Sequence, residues 1–170
     1  MNLKGETDEQ TELEKKISEI IEVNYSDKLK PEHKPLLDKI KLQLVPLQNK
    51  NILLIKIPDP VLCALRKFFT KFITKMRKIF SAYMIFVVRR ADSYLTAKKK
   101  PNKELMEDLI SNLCYPSVIK MRTTDVNLEG RLENAILERR SDFTEDDLEG
   151  MSAAFETLTE KKIRYTIGNY

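Results

Sequence analysis

The hydrophobic pattern at the start of the chain changes from a helical period to a strand period. Apolar residues first recur on one helical face, at Leu13, Ile17, Ile20 and Ile21. Thr11 and Glu14 have the spacing of a capping box, which predicts that a helix starts there, after a polar, flexible tail at residues 1–10. Residues 41–45 alternate like a half-buried strand, and residues 52–57 form a second apolar run after a turn-forming stretch. The pattern predicts an N-terminal helix followed by a β-hairpin.

The next segment has the clearest helical pattern in the chain. Asp59 suits an N-cap and Pro60 suits the first helical position. A helix over residues 61–80 then places its large apolar side chains on one arc and its basic side chains opposite. Residues 83–88 follow as a continuous apolar run, typical of a strand that is covered on both faces. Strand, helix and strand in this order predict a right-handed βαβ crossover, with residues 52–57 and 83–88 parallel.

A helix and a second hairpin follow the crossover. Asn102 is suited to cap the helix, and Pro116 ends it. Its inward positions are Leu105, Leu109, Ile110 and Leu113. Residues 118–128 and 131–137 read as two strands joined by an acid-glycine turn, so a hairpin is expected there.

The chain closes with one more helix and one more strand. Thr144 and Asp147 form a second capping box, and residues 163–167 alternate as a strand. The buried stripe of the helix is Leu148, Met151, Phe155 and Leu158. The whole order predicts the α+β class: a mixed β-sheet with a βαβ crossover, a further hairpin, packed helices and an N-terminal helix. We expect one domain, residues 11–170, that carries a basic loop at 91–103.

Charge is divided unevenly along this chain. Residues 61–103 contain twelve Lys and Arg and one acid, Asp92, while residues 104–160 contain fourteen acids and five basic residues. The formal net charge of the whole chain is only +4. Charge polarised in this way gives one strongly positive face, and such faces attract polyanions, of which nucleic acid is the commonest. The alternative is an ordinary solvated helix face followed by a lysine-rich loop.

The sequence offers few groups for catalysis or metal binding. His33, the single histidine, lies in a polar Pro/Lys-rich segment, and no Ser-His-Asp or Cys-His unit can be assembled without it. Cys63 and Cys114 stand apart within apolar segments, which is typical of small core residues in a reducing compartment. Asp146 and Asp147 begin a helix, where acids favour the dipole. We expect no enzyme, no cofactor and no metal.

Four phenylalanines in the 61–80 helix allow two interpretations. The stripe of Phe68, Phe69, Phe72 and Phe80 opposite lysines could lie in a membrane interface. The same stripe is what a crossover helix buries against a sheet, and the flanking strands have apolar faces that need cover. Core packing is therefore favoured. The longest apolar run, residues 83–88, is too short to span a bilayer.

Six segments between residues 52 and 167 follow one another in a recognisable order. They are Pro58-Asp59-Pro60, a basic helix closing in Phe80-Ser81, the strand Ile85-Phe86-Val87-Val88-Arg89-Arg90, the helix exit Leu113-Cys114-Tyr115-Pro116-Ser117-Val118-Ile119, the turn Leu128-Glu129-Gly130-Arg131-Leu132 and the helix segment Phe155-Glu156-Thr157-Leu158-Thr159. In this order they resemble the eukaryote-type family of small-subunit ribosomal protein seven. Two departures are a shorter loop after Arg90 and the absence of the family's glycine from Lys120-Met121-Arg122.

The resemblance implies a structural constituent of the cytosolic small ribosomal subunit, with a part in subunit maturation. Its implied partners are small-subunit rRNA and neighbouring ribosomal proteins, its implied location is the cytoplasm, and its assembly would be nucleolar. Neither a membrane nor a small-molecule substrate is expected. A free-standing RNA-binding adaptor is the first alternative, and a protein that lays the 61–80 helix in a membrane interface is the second.

The residues expected to bind RNA are basic side chains that neutralise phosphate without reading sequence. The first candidates are Lys98, Lys99, Lys100, Lys103, Arg89 and Arg90, followed by Lys120 and Arg122, and then by Lys71, Lys75 and Lys78 on the helix face.

Overall fold

The computed structural model describes residues 8–48, 50–90 and 103–169. Its elements are α1 (Asp8–Tyr25), a 3-10 helix (Pro31–Lys39), β1 (Lys41–Val45), β2 (Asn51–Ile57), α2 (Asp59–Arg66), α3 (Phe69–Ile79), β3 (Tyr83–Arg89), α4 (Lys103–Leu113), β4 (Ile119–Asn127), β5 (Gly130–Leu137), α5 (Glu145–Thr159) and β6 (Ile163–Ile167). The predicted cap at Asn102 and most of the predicted basic loop lie outside the described residues.

The strands form two mixed sheets of three strands each. In the first sheet, with order β1-β2-β3, β1 is antiparallel to β2 and β3 is parallel to it. In the second, with order β4-β5-β6, β4 is antiparallel to β5 and β6 is parallel to it. The α+β class, the N-terminal helix, both hairpins and the parallel pairing across α2 and α3 are confirmed. The sequence pattern indicated one mixed sheet, and it did not show that the last three strands pair only with one another.

Helices α4 and α5 contribute to a core that both sheets share. Alternate residues of β2 enter different clusters: Leu53 and Ile55 pack with α1, α2 and α3, whereas Ile52 and Leu54 pack with α4, α5 and the second sheet. Both faces of β2 are therefore buried, as its continuous apolar run requires. α5 approaches β3 closely at Gly150, where an added Cβ would lie 2.3 Å from the Met84 sulfur.

The helix predicted over residues 61–80 is two helices, α2 and α3, with a break at Phe68. Phe68 leaves helical geometry at φ −137° and ψ 34°. Its ring stacks on Tyr25 of α1 with 4.6 Å between centroids. The prediction of one continuous helix is therefore wrong. At the break Phe68 turns towards α1, whereas Phe69 stays buried in the core.

The phenylalanine stripe belongs to the protein core. Phe69, Phe72 and Phe80 are buried in the cluster between the first sheet and helices α1, α2 and α3, and Phe68 packs against that cluster. Ile79, which the pattern also placed on the apolar arc, is 37% exposed. The burial of these rings leaves no apolar face on α3 to lie in a membrane interface. Within the described ranges, no helix is long and apolar enough to cross a membrane.

The N-terminal helix begins at Asp8, earlier than the Thr11–Glu14 spacing predicts, so residues 8–10 of the expected tail are helical. The prediction of a capping box there is wrong. Glu14 is buried in mid-helix and accepts a hydrogen bond from the main-chain N of Leu42 at 2.9 Å. Gln10 Nε2 donates to the Leu42 carbonyl oxygen. Two side chains of α1 thus satisfy both main-chain groups of one residue on the outer edge of β1.

Two other helix starts and two thiols test the local predictions. The capping box of α5 is confirmed, since Thr144 N donates to Asp147 Oδ2 at 3.0 Å and Asp147 N donates to Thr144 Oγ1 at 3.2 Å. α2 begins at Asp59 itself without a side-chain cap, so Asp59 lies in the first turn and is not the N-cap. Cys63 is exposed, contrary to the core position expected for it, whereas Cys114 is buried as predicted.

Candidate nucleic-acid interface

The basic face of α3 is on the surface but is partly tied to α1. Lys71 and Lys78 are exposed. Lys75 is half-buried, and its Nζ donates to the side-chain oxygen of Asn24 near the end of α1. The three lysines were predicted to act together, and the structure leaves two of them fully directed to solvent while the third also links two helices.

Arg89 and Arg90, at the end of β3, are both engaged within the protein. The Nε of Arg89 lies 2.8 Å from Asp108 Oδ2 in an ion pair with α4, although its N–H does not point along a hydrogen bond. Arg90 Nη1 donates to the Lys39 carbonyl oxygen at 2.7 Å. Part of the positive charge that the sequence assigned to RNA therefore holds α4 and the 3-10 helix against this strand end.

Lys120 and Arg122 on β4 have different surroundings. Arg122 is half-buried; its Nη1 pairs with Glu107 of α4, and its Nη2 lies 3.4 Å from Glu133 Oε2 on β5. Two carboxylates on one guanidinium leave little positive charge for phosphate. Lys120 is exposed. Lys103 is also exposed at the start of α4, whereas Lys98, Lys99 and Lys100 lie outside the described residues.

Three arginines that sequence reasoning passed over extend the exposed positive charge. Arg77 on α3 and Arg140 after β5 line the same cavity of about 240 Å³, and Arg140, Arg139 and Lys120 line a second, open one. Glu138 lines both cavities and Asp142 lines the first, so these basic side chains share the surface with acids. The Arg139-Arg140 pair was visible in the sequence but lies in the acidic half, where regional charge concealed it.

Lys56 is a buried cation that the sequence pattern also failed to indicate. It is only 4% exposed, and its Nζ donates to Gln43 Oε1 at 2.8 Å. Burial, and then the nearby charge of Arg90, lower the pKa of Lys56 from 10.5 to about 8. Charged side chains are rarely buried without an opposite charge. The ion pairs found among the described residues do not include Lys56.

Two other chemically active groups, Cys114 and Tyr165, are buried and unreactive. Burial raises the pKa of the Cys114 thiol to about 11, so this thiol stays protonated and weakly nucleophilic. Tyr165 donates from its hydroxyl to the Ile110 carbonyl oxygen at 2.8 Å, and burial raises its pKa well above 10.0. In the part of the chain that the structure describes, no group of three His, Cys, Asp or Glu could hold a metal ion.

Comparison with known proteins adds one relative to this geometry. No protein-family model matches the chain. Among curated proteins, the chain is similar to "Small ribosomal subunit protein eS7" of Encephalitozoon cuniculi (strain GB-M1), with 27% identity over 157 residues. The aligned region covers 89% of this chain and 91% of that protein. The similarity therefore extends over nearly the whole of both proteins and is not confined to one shared segment.

Proposed function

We propose that this protein is a structural constituent of the cytosolic small ribosomal subunit. The observation that carries the proposal is the similarity to a small ribosomal subunit protein over 89% of this chain and 91% of the relative. The order of motifs between residues 52 and 167 supports it independently, as does the polarised charge of the chain. A role in subunit maturation, with assembly in the nucleolus, belongs to the same proposal.

The proposed RNA contacts are made through phosphate. Exposed Lys71, Lys78, Lys103 and Lys120 are suited to this role because they are accessible point charges. Arg139 and Arg140 extend the same surface, and Lys98, Lys99 and Lys100 remain candidates. Arg89 and Arg122 act first as internal ion-pair partners. Base readout is not required, because A-form RNA mainly presents shape, phosphate and 2′-hydroxyl groups to a protein.

The proposed contacts with neighbouring ribosomal proteins involve the hairpin of β4 and β5. Val126 is 73% exposed and Leu128 is 107% exposed at its tip. Apolar side chains gathered at a projecting tip are typical of protein contact surfaces. The tip lies at the far end of β4 from Lys120, so a protein contact there leaves Lys120 available for RNA.

Sedimentation tests the proposal directly. A tagged copy expressed in its own cells should migrate with the small subunit through a sucrose gradient and stay there at salt concentrations that strip loosely bound proteins. Depletion should lower the amount of mature small subunits. Recovery of the protein only near the top of the gradient, while still bound to RNA, would support the free-standing adaptor instead. Flotation with liposomes tests the membrane alternative.

A further inference from the structure

Lys56 is a cation at the edge of the core, and the ion pairs among the described residues give it no counterion. By the alternation of β2 it follows Ile52 and Leu54 on the face of the sheet that packs against α4 and α5. Its one hydrogen bond among the described residues goes to a neutral group, Gln43 Oε1. Burying a charge that no opposite charge compensates is expensive, so such a group calls for an explanation.

Arg90 brings a second cation to the same place. Its Nη1 is held by the Lys39 carbonyl oxygen at 2.7 Å, but its Nε is buried and has no hydrogen-bond partner in the described structure. Lys56 and Arg90 lie near the carboxyl ends of β2 and β3, which are parallel neighbours. Ligands of sheets with parallel strands commonly bind outside this end of the strands.

Two carboxylates near this end of the sheet, those of Glu14 and Asp108, already have partners. Lys41, opposite Lys56 on β1, lies 3.7 Å from Glu14 Oε2. Glu14 also accepts the main-chain hydrogen bond that closes the edge of β1. On the α4 side, Asp108 is paired with Arg89. Neither carboxylate is left to neutralise Lys56 and Arg90.

We propose that Lys56, Arg90 and Gln43 form a recess that receives one phosphate of an RNA backbone. A phosphodiester supplies the missing negative charge, accepts from the Lys56 ammonium and from the unpartnered Arg90 Nε–H, and can also accept from the Gln43 amide. Arg90 is half-buried and Lys56 is buried, so Arg90 is the more accessible of the two cations. The inference rests on the proposed function, because it assumes that the chain binds RNA, and it adds a specific anchoring point.

This recess links RNA binding to proton uptake. Without an anion, the pKa of Lys56 is about 8, because the side chain is buried and lies close to Arg90. A bound phosphate favours the ammonium form, so binding above that pH must also add a proton. Affinity should therefore fall as pH rises through 8.

The test measures binding of the full chain to small-subunit rRNA at pH 7 and pH 9, at one salt concentration. Wild type should lose roughly tenfold in affinity between these values, because a group with a pKa near 8 changes from mostly charged to mostly neutral. Lys56→Arg should remove most of this loss while binding well at pH 7, because arginine stays charged. Lys56→Met should bind more weakly at pH 7 and show no such loss. The matched control is Lys71→Met, which should keep the wild-type pH dependence.

Each remaining outcome is decisive. An equal affinity ratio between pH 7 and pH 9 for wild type and Lys56→Met overturns the recess, even if both bind RNA tightly. Absence of RNA binding by wild type at pH 7 instead overturns the proposed function. If the pH dependence appears only after Asp92→Asn, the chain supplies its own counterion and the proposal fails.

Discussion

Replacing Lys56 with Met should stabilise the isolated protein at neutral pH. Lys56 is 4% exposed and lies among apolar residues of β2 and β3. Lowering its pKa from 10.5 to about 8 corresponds to about 3 kcal/mol against the charged form, since one pKa unit is about 1.4 kcal/mol. Met fills a similar volume without charge. The loss of the hydrogen bond to half-buried Gln43 offsets part of the gain, so we expect a net increase of about 1–3 kcal/mol in the free energy of unfolding.

Lys56 should also make the free energy of unfolding depend on pH in a distinctive way. In the unfolded chain Lys56 titrates at its ordinary pKa of 10.5, and in the folded chain at about 8. Between these values the unfolded state binds more protons, so the stability of wild type rises with pH because of Lys56. The destabilisation is complete below pH 8 and is relieved by about pH 10.5. The advantage of Lys56→Met should therefore shrink across this window.

Urea unfolding at pH 7, 8, 9 and 10, followed by far-UV circular dichroism, measures both effects. The quantity to follow is the difference in the free energy of unfolding between Lys56→Met and wild type at each pH. Other groups oppose the rise of stability with pH in both proteins, and this difference removes their effect. Cys114 is one such group: its folded pKa of about 11 lies above the ordinary 9.0, so stability is lost as pH rises from 9. Lys71→Met is the control, since Lys71 is exposed and should give a constant difference near zero. A Lys56→Met protein less stable than wild type at pH 7, or an advantage that does not change with pH, would refute the reasoning.

Three further measurements test the core and the surface. Phe72→Ala should lower the free energy of unfolding by about 3–5 kcal/mol, because Phe72 is fully buried. Lys71→Ala, the surface control, should change it by no more than about 0.5 kcal/mol. Denaturant unfolding of both variants compares the two values. Gly150→Ala should cost about 1–3 kcal/mol in the same assay, because the added methyl group displaces the Met84 sulfur; an unchanged midpoint would contradict the close packing of α5 on β3. Changing the three lysines at residues 98–100 to Ala should reduce the slope of log affinity against log salt for duplex RNA by up to about 3, and an equal slope would exclude phosphate contacts there.

Hydrophobic period predicted most of the elements because each element buries a face. The β2–β3 pairing follows from two continuous apolar runs and one apolar helical arc, and the structure places Asn51 opposite Tyr83 in a parallel ladder. The break at Phe68 escaped prediction because a helical arc looks the same whether or not the helix is continuous. At the break the Phe68 ring stacks on Tyr25, a residue more than forty positions earlier in the chain, and such a contact leaves no mark on the local pattern.

The candidate interface was less predictable because a list of basic residues does not show what faces them. Arg122 looked available in the sequence, yet Glu107 and Glu133 come from other elements and occupy its guanidinium. Lys56 shows the opposite error, because nothing in the sequence pattern marked it as a candidate. One lysine within an apolar strand reads as a minor interruption, and only the burial of its side chain beside Arg90 reveals an uncompensated charge.

The hydrogen bonds from α1 to the outer edge of β1 have a consequence for the protein before it binds any partner. An open strand edge can pair with the same edge of another copy, which is a common route to aggregation. Here Gln10 and Glu14 occupy the main-chain groups of Leu42 that a foreign strand would use. A newly made chain therefore keeps this edge closed by itself. Proteolytic loss of the first helix would remove that protection and leave these main-chain groups open to pairing with another copy.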